Sequence, residues 1–176
     1  LKKWSLIPLA LLSYLIPQSP NTFFDQKIRI VQPNVEQEEK WDKATYEQRF
    51  SNLLSLAKSE NPLVKSIAMP ETALTFFLED FPERVERLKD IIPKNGYLLT
   101  GGVRRHIDRN DIDYKLRTSL LALDKNAKLV GFYDKNHLIP FGEYLPSILR
   151  FAFPKLSKIT FGERDYTQGT GPSNIS

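Results

Sequence analysis

Short aliphatic runs alternate with helix-periodic segments through the first hundred residues, and no other feature narrows the fold as far. Residues 27–31 (Lys-Ile-Arg-Ile-Val) alternate polar and apolar side chains, the period of a half-buried strand, and stop at the turn signal Gln32, Pro33, Asn34. Over residues 42–59 the side chains of Tyr46, Phe50, Leu53, Leu54 and Ala57 recur at helical spacing, which predicts one amphipathic helix. Residues 63–69 predict a second strand, ended by Pro70, which cannot donate to a ladder. A second helix is predicted over 82–92, with Pro82 suited to its first turn and Val85, Leu88, Ile91 and Ile92 on its inner face. Residues 97–100 predict a third strand that runs into Gly101 and Gly102.

The pattern then changes. Residues 118–124 and 128–133 predict two more strands, joined as a hairpin through Lys125, Asn126 and Ala127. Strand–helix alternation followed by a hairpin predicts an α/β fold, a mixed sheet with helices on at least one face.

Both ends of the chain differ from this middle. Residues 4–16 are nearly all apolar and follow Lys2 and Lys3, but they fall short of the roughly 20 residues that span a bilayer. A signal peptide and a buried helix kinked at Pro8 are both possible, although 15–20 offers no small-x-small cleavage site. The preferred expectation is the end of a transmembrane helix over 1–17, a linker over 18–26 and a single domain over 27–176, in a chain that begins at Leu1 and is read as a fragment. If Lys2 and Lys3 mark the cytoplasmic side, everything after Pro17 lies outside the cytoplasm. Residues 144–161 mix aromatic and aliphatic side chains with Arg150, Lys155 and Lys158, which suits either an arm in a membrane interface or a segment packed on the core.

Composition excludes several functions. The 176 residues contain no cysteine, so neither thiol catalysis nor a thiol metal site exists within them. His106 and His137 are the only histidines, too scattered for a predicted metal site. Net charge is +4, with the basic residues dispersed and only a small Arg104-Arg105-His106 cluster, so no nucleic-acid partner is expected.

Three charged residues sit where chemistry is easiest to build. Glu71 follows a strand and a proline at the rim of the sheet, where desolvation would make it a usable general base. Lys135 lies two residues past the strand ending at Tyr133, and a lysine in a poorly solvated pocket can stabilise an oxyanion. Glu143 lies across Pro140, Phe141 and Gly142, a loop able to fold it back towards Lys135. Each alone reads more often as a solvated charge, and Trp41 more often as a partly buried helix-entry anchor than as a binding platform.

Together the blocks carry more. Val31-Gln32-Pro33-Asn34 with Lys40-Trp41-Asp42, then Pro70-Glu71-Thr72-Ala73, then Thr100-Gly101-Gly102, then the run from Tyr133 through Lys135 and His137 to Glu143, resemble the carbon–nitrogen hydrolase (nitrilase) superfamily across residues 27–168. Within it they resemble the bacterial apolipoprotein N-acyltransferases. The resemblance implies the N-terminal part of a nitrilase-like αββα sandwich, with Glu71 as general base, Lys135 as the oxyanion-stabilising lysine, Glu143 as a supporting glutamate and Trp41 beside the substrate pocket. It implies no metal or cofactor. The implied partners are a phospholipid acyl donor, an apolipoprotein acceptor and the bacterial inner membrane, with the domain facing the periplasm.

Three departures qualify the match. Met69 stands where the family often has tryptophan, and Thr118-Ser119 replaces Asn-Ser. The nucleophilic cysteine is not among these residues, so the resemblance implies a chain inactive alone, with a separate chain carrying the C-terminal half as an expected partner. The alternatives are an amidase of the same superfamily and a non-enzymatic module tethered to a membrane.

Overall fold

In the computed structural model of the chain, the described residues are 26–36, 39–107, 113–146 and 164–172. The segments expected to form the membrane helix (1–17) and most of the linker and cationic arm lie outside them. Among the described residues no helix is long and apolar enough to cross a membrane.

Five strands form one sheet in chain order: β1 (Lys27–Ile30), β2 (Val64–Ala68), β3 (Tyr97–His106), β4 (Lys115–Leu123) and β5 (Leu129–Asp134). The first three are parallel, connected through α1 (Tyr46–Ala57) and α2 (Pro82–Lys89), and the last three form an antiparallel meander. The register sets Ile67 beside Leu98 and Leu98 beside Leu123 on the face that the helices cover. Phe50, Leu53 and Ala57 of α1 and Leu88 of α2 join that row in the core. The opposite face carries Ile28, Ile30, Tyr97 and Leu120 exposed, Ile30 by 80%.

The helices are shorter than their periodic stretches, for local reasons. Asp42 does not start α1, because its carboxylate accepts hydrogen bonds from the Ala44 backbone and the Thr45 hydroxyl (2.9 and 2.8 Å), closing a turn upstream. At the other end the Arg29 guanidinium, on β1, donates twice to the Leu56 carbonyl (3.0 and 2.9 Å) and satisfies part of the last turn. α2 stops before Pro93 disfavours helical geometry at Ile92, yet Ile91 and Ile92 remain buried as expected.

The largest departure is in β3. The two glycines do not end it; the strand continues through them to His106. At Gly101 another backbone crosses the sheet. A Cβ on Gly101 would lie 2.4 Å from the Thr72 nitrogen, so only glycine admits this approach.

Candidate active site

The carboxylate, the lysine and the second carboxylate reach one point from three different connections. Glu71 sits in the turn after β2, which is stitched to β3 by Met69 N–H to Leu99 carbonyl (2.8 Å), Gly101 N–H to Pro70 carbonyl (3.2 Å) and Leu74 N–H to Gly101 carbonyl (3.0 Å). Thr72 completes the turn at φ 54°, a left-handed conformation uncommon for a β-branched residue. Lys135 is the first residue beyond β5, and its N–H donates to the Thr118 carbonyl (2.8 Å). Glu143 is turned back by a tight loop in which its N–H donates to the Ile139 carbonyl and its Oε2 accepts from the Ile139 N–H, each at 2.8 Å.

The Lys135 ammonium donates to Glu71 Oε1 at 2.9 Å and to Glu143 Oε1 at 3.2 Å. Thr118 Oγ1 adds a long bond to the same Glu143 oxygen, at 3.4 Å. Partial burial by itself would lower the lysine pKa, but the hydrogen bonds to Glu71 and Glu143 outweigh it and raise the value. The site therefore holds a full positive charge at neutral pH, flanked by two carboxylates that fix its position. Such an ammonium can stabilise an oxyanion, and an adjacent carboxylate with free access can take a proton from a nucleophile.

One expectation needs correction. Glu71 is not desolvated at the sheet rim: its side chain is 61% exposed, because the turn that carries it projects from the open face, while Glu143 is 15% exposed.

Trp41 belongs to a neighbouring feature. It lines a cleft of about 640 Å³ whose other walls include Phe76, Phe77, Val103, Leu116 and Tyr166. Lys40 connects this cleft to the charged centre, since its ammonium donates to the Glu71 carbonyl at 3.0 Å. Burial lowers the Lys40 pKa, against an opposing attraction to Glu71.

Sequence reasoning missed two supports. On the far face of the sheet Asp134, 7% exposed, accepts from Arg104 (3.1 and 2.6 Å), Arg117 (2.8 Å) and Ser119 (2.6 Å). Burial acts to raise the Asp134 pKa, but these donors prevail and hold it below the usual carboxylate range. Only knowledge of the β3–β4–β5 register would have revealed that Ser119 lies opposite this aspartate and that Arg104 and Arg117, paired with each other, share its face. The second support is the segment 166–169, which lies against the same loops.

The sequence profile described as carbon-nitrogen hydrolase matches residues 27–166. An apolipoprotein N-acyltransferase of Rickettsia prowazekii (strain Madrid E) is 34% identical over 158 residues, which cover 89% of this chain and 30% of that protein. The apolipoprotein N-acyltransferase of Brucella suis biovar 1 (strain 1330) is 34% identical over 123 residues, 68% of this chain and 23% of that protein. The chain thus spans less than a third of the length of these curated relatives. Among solved structures, a carbon-nitrogen hydrolase from Helicobacter pylori G27 aligns with 65% of this chain and 40% of its own, at 16% identity and TM-score 0.43.

Proposed function

The chain belongs to the carbon–nitrogen hydrolase family, and from that premise we propose that it is the base-and-lysine part of an apolipoprotein N-acyltransferase. The observation that carries the proposal is the Lys135 ammonium shared between Glu71 and Glu143, 64 and 8 residues away in sequence. Relatives bearing that enzyme's name match the whole stretch that builds the site.

In this proposal Glu71 takes the proton from a cysteine thiol, and the thiolate attacks an acyl ester of a phospholipid. Lys135 stabilises the tetrahedral oxyanion, the lysophospholipid leaves with the proton, and the acyl group remains as a thioester. The free amine of an apolipoprotein's N-terminal diacylglyceryl-cysteine then attacks the thioester, forming the amide and restoring the thiol. Glu143 keeps the ammonium aimed. Trp41 contacts substrate from the neighbouring cleft. The cysteine is not among these 176 residues, so the polypeptide alone carries no acyl group. The exposed apolar face with Ile28, Ile30 and Leu120 is where the second sheet of an αββα sandwich packs. The apolar residues 4–16 anchor the domain at the bacterial inner membrane, on the periplasmic side.

The test is co-expression of these residues with the cysteine-bearing remainder of the Rickettsia prowazekii relative, in bacteria depleted of their own enzyme. Lipoproteins with an acylated N-terminus are expected, and are lost on Lys135→Ala. If the two polypeptides co-purify yet no lipoprotein is acylated, or if Lys135→Ala leaves acylation intact, the proposal fails.

A further inference from the structure

Residues 166–169 cross the molecule beside the charged centre, and three of their backbone N–H groups donate to the parts that hold it. Tyr166 N–H donates to the Glu143 carbonyl (2.8 Å), Thr167 N–H to the Leu116 carbonyl at the start of β4 (2.8 Å), and Gly169 N–H to the Lys135 carbonyl (2.9 Å). The Thr167 hydroxyl adds a second bond to Leu116 (3.2 Å). One short segment therefore ties together the two site residues that lie on different loops, and anchors both to the sheet.

The fit is close at one end. A Cβ on Gly169 would lie 2.2 Å from the Asp134 carbonyl oxygen and 2.8 Å from both the Asp134 carbonyl carbon and its Cβ. Those are atoms of a strand end that resists retreat, because the Asp134 carboxylate is held by Arg104, Arg117 and Ser119. Any side chain at 169 must push the segment away from Lys135 instead. By contrast, nothing lies within 4 Å of a Cβ placed on Gly171.

We propose that residues 166–169 are a positioning strap for the Lys135–Glu143 pair, and that Gly169 is the residue on which its seating depends. Lys135 is clamped through its backbone between β4 and the strap, so its ammonium is delivered to Glu71 and Glu143 with little freedom. Loss of the strap frees the carbonyl of Lys135 and the carbonyl of Glu143 together. The strap acts through the pair and touches no reacting group in this account. The inference rests on the site geometry and is read without any acyl transfer, so failure of the acyltransferase proposal would leave it standing.

The experiment compares the 176-residue chain with Gly169→Ala and, as a second perturbation of the other end, Tyr166→Pro, which deletes the N–H given to Glu143. Nuclear magnetic resonance follows backbone amide exchange and the titration of the Lys135 side chain. In Gly169→Ala the amides of residues 167 and 169 are expected to exchange about tenfold faster or more, because the segment has been pushed off its acceptors. In both variants the Lys135 titration midpoint moves down towards that of an ordinary lysine, while Thr167→Ser, which keeps every donor, changes neither. If the amides of Gly169→Ala stay protected, seating does not depend on Gly169. If they are released while Lys135 titrates unchanged, the segment does not position the pair. Either result overturns the proposal.

Discussion

Arg104 grips Asp134 across two strands, Nε to Oδ1 at 3.1 Å and Nη2 to Oδ2 at 2.6 Å, one residue before the lysine that faces the opposite side of the sheet. Strand alternation makes this arrangement possible, since consecutive side chains point to opposite faces. A buried ionic knot on one face thereby steadies the strand end that presents Lys135 on the other.

Removing the charge from that knot should be costly. Asp134→Asn leaves Arg104 and Arg117 sharing one neutral acceptor, and breaking a buried pair from one side typically costs about 3–5 kcal/mol. Urea denaturation at neutral pH measures the loss.

The same group makes stability depend on acid. Its folded pKa is depressed, so its stabilisation is fully present above the unfolded aspartate value of about 3.9 and is lost as pH falls through the lower folded value. As pH falls below about 3.9 the wild-type chain should therefore lose stability more steeply than Asp134→Asn. Parallel acid slopes for the two proteins would contradict this assignment.

Adjacent glycines of β3 should respond unequally to alanine. At Gly101 the new Cβ meets backbone atoms of Glu71 and Thr72 at 2.6 and 2.4 Å, whereas at Gly102 it meets the movable end of Leu121 at 2.9 Å. Gly101→Ala is expected to cost about 1–3 kcal/mol and to shift the Glu71 resonances, with a smaller effect of Gly102→Ala. Thermal melts and carboxylate spectra of the two variants decide the order.

Under the proposed acyl transfer, with a cysteine-bearing polypeptide supplied alongside, Lys135, Glu71 and Trp41 should affect rate to different degrees. Lys135→Ala removes an oxyanion stabiliser and is expected to slow thioester formation by about 10²–10³-fold. Glu71→Gln removes the base and should cost about 10²–10⁴-fold. Trp41→Ala should act mainly on the concentration of phospholipid needed, since Trp41 lines the neighbouring cleft. Rates of acyl-enzyme formation against donor concentration separate these effects.

Alone, the 176-residue polypeptide should take up no acyl chain from phospholipid vesicles, and intact-mass spectrometry should show its mass unchanged. An adduct resistant to hydroxylamine would point to some other nucleophile in the chain.

Much of the scaffold was legible because its signals are local. The stripe Tyr46, Phe50, Leu53, Leu54, Ala57 became α1, and Lys125, Asn126 and Ala127 lie in the turn of the β4–β5 hairpin, where Asp124 accepts from Asn126 and Lys128 and Ala127 takes φ 55°. Helix ends were misjudged where a side chain competed for the backbone, as Asp42 does ahead of α1. The third strand, predicted over 97–100 and running into Gly101 and Gly102, extends through both to His106; the second backbone packed on Gly101 has no local signature.

The sequence by itself determined which stretches are periodic, where proline and glycine interrupt them, and therefore that Glu71, Lys135 and Glu143 lie at strand ends and turns. Tertiary structure alone decided that these three meet, that Glu71 stays exposed while Asp134 is buried, and that Gly169 closes against the strand end. The physical reason is range. Propensity and periodicity act over a few residues, whereas a contact between residues 64 positions apart depends on the register of β3, β4 and β5 and on the packing that fixes it.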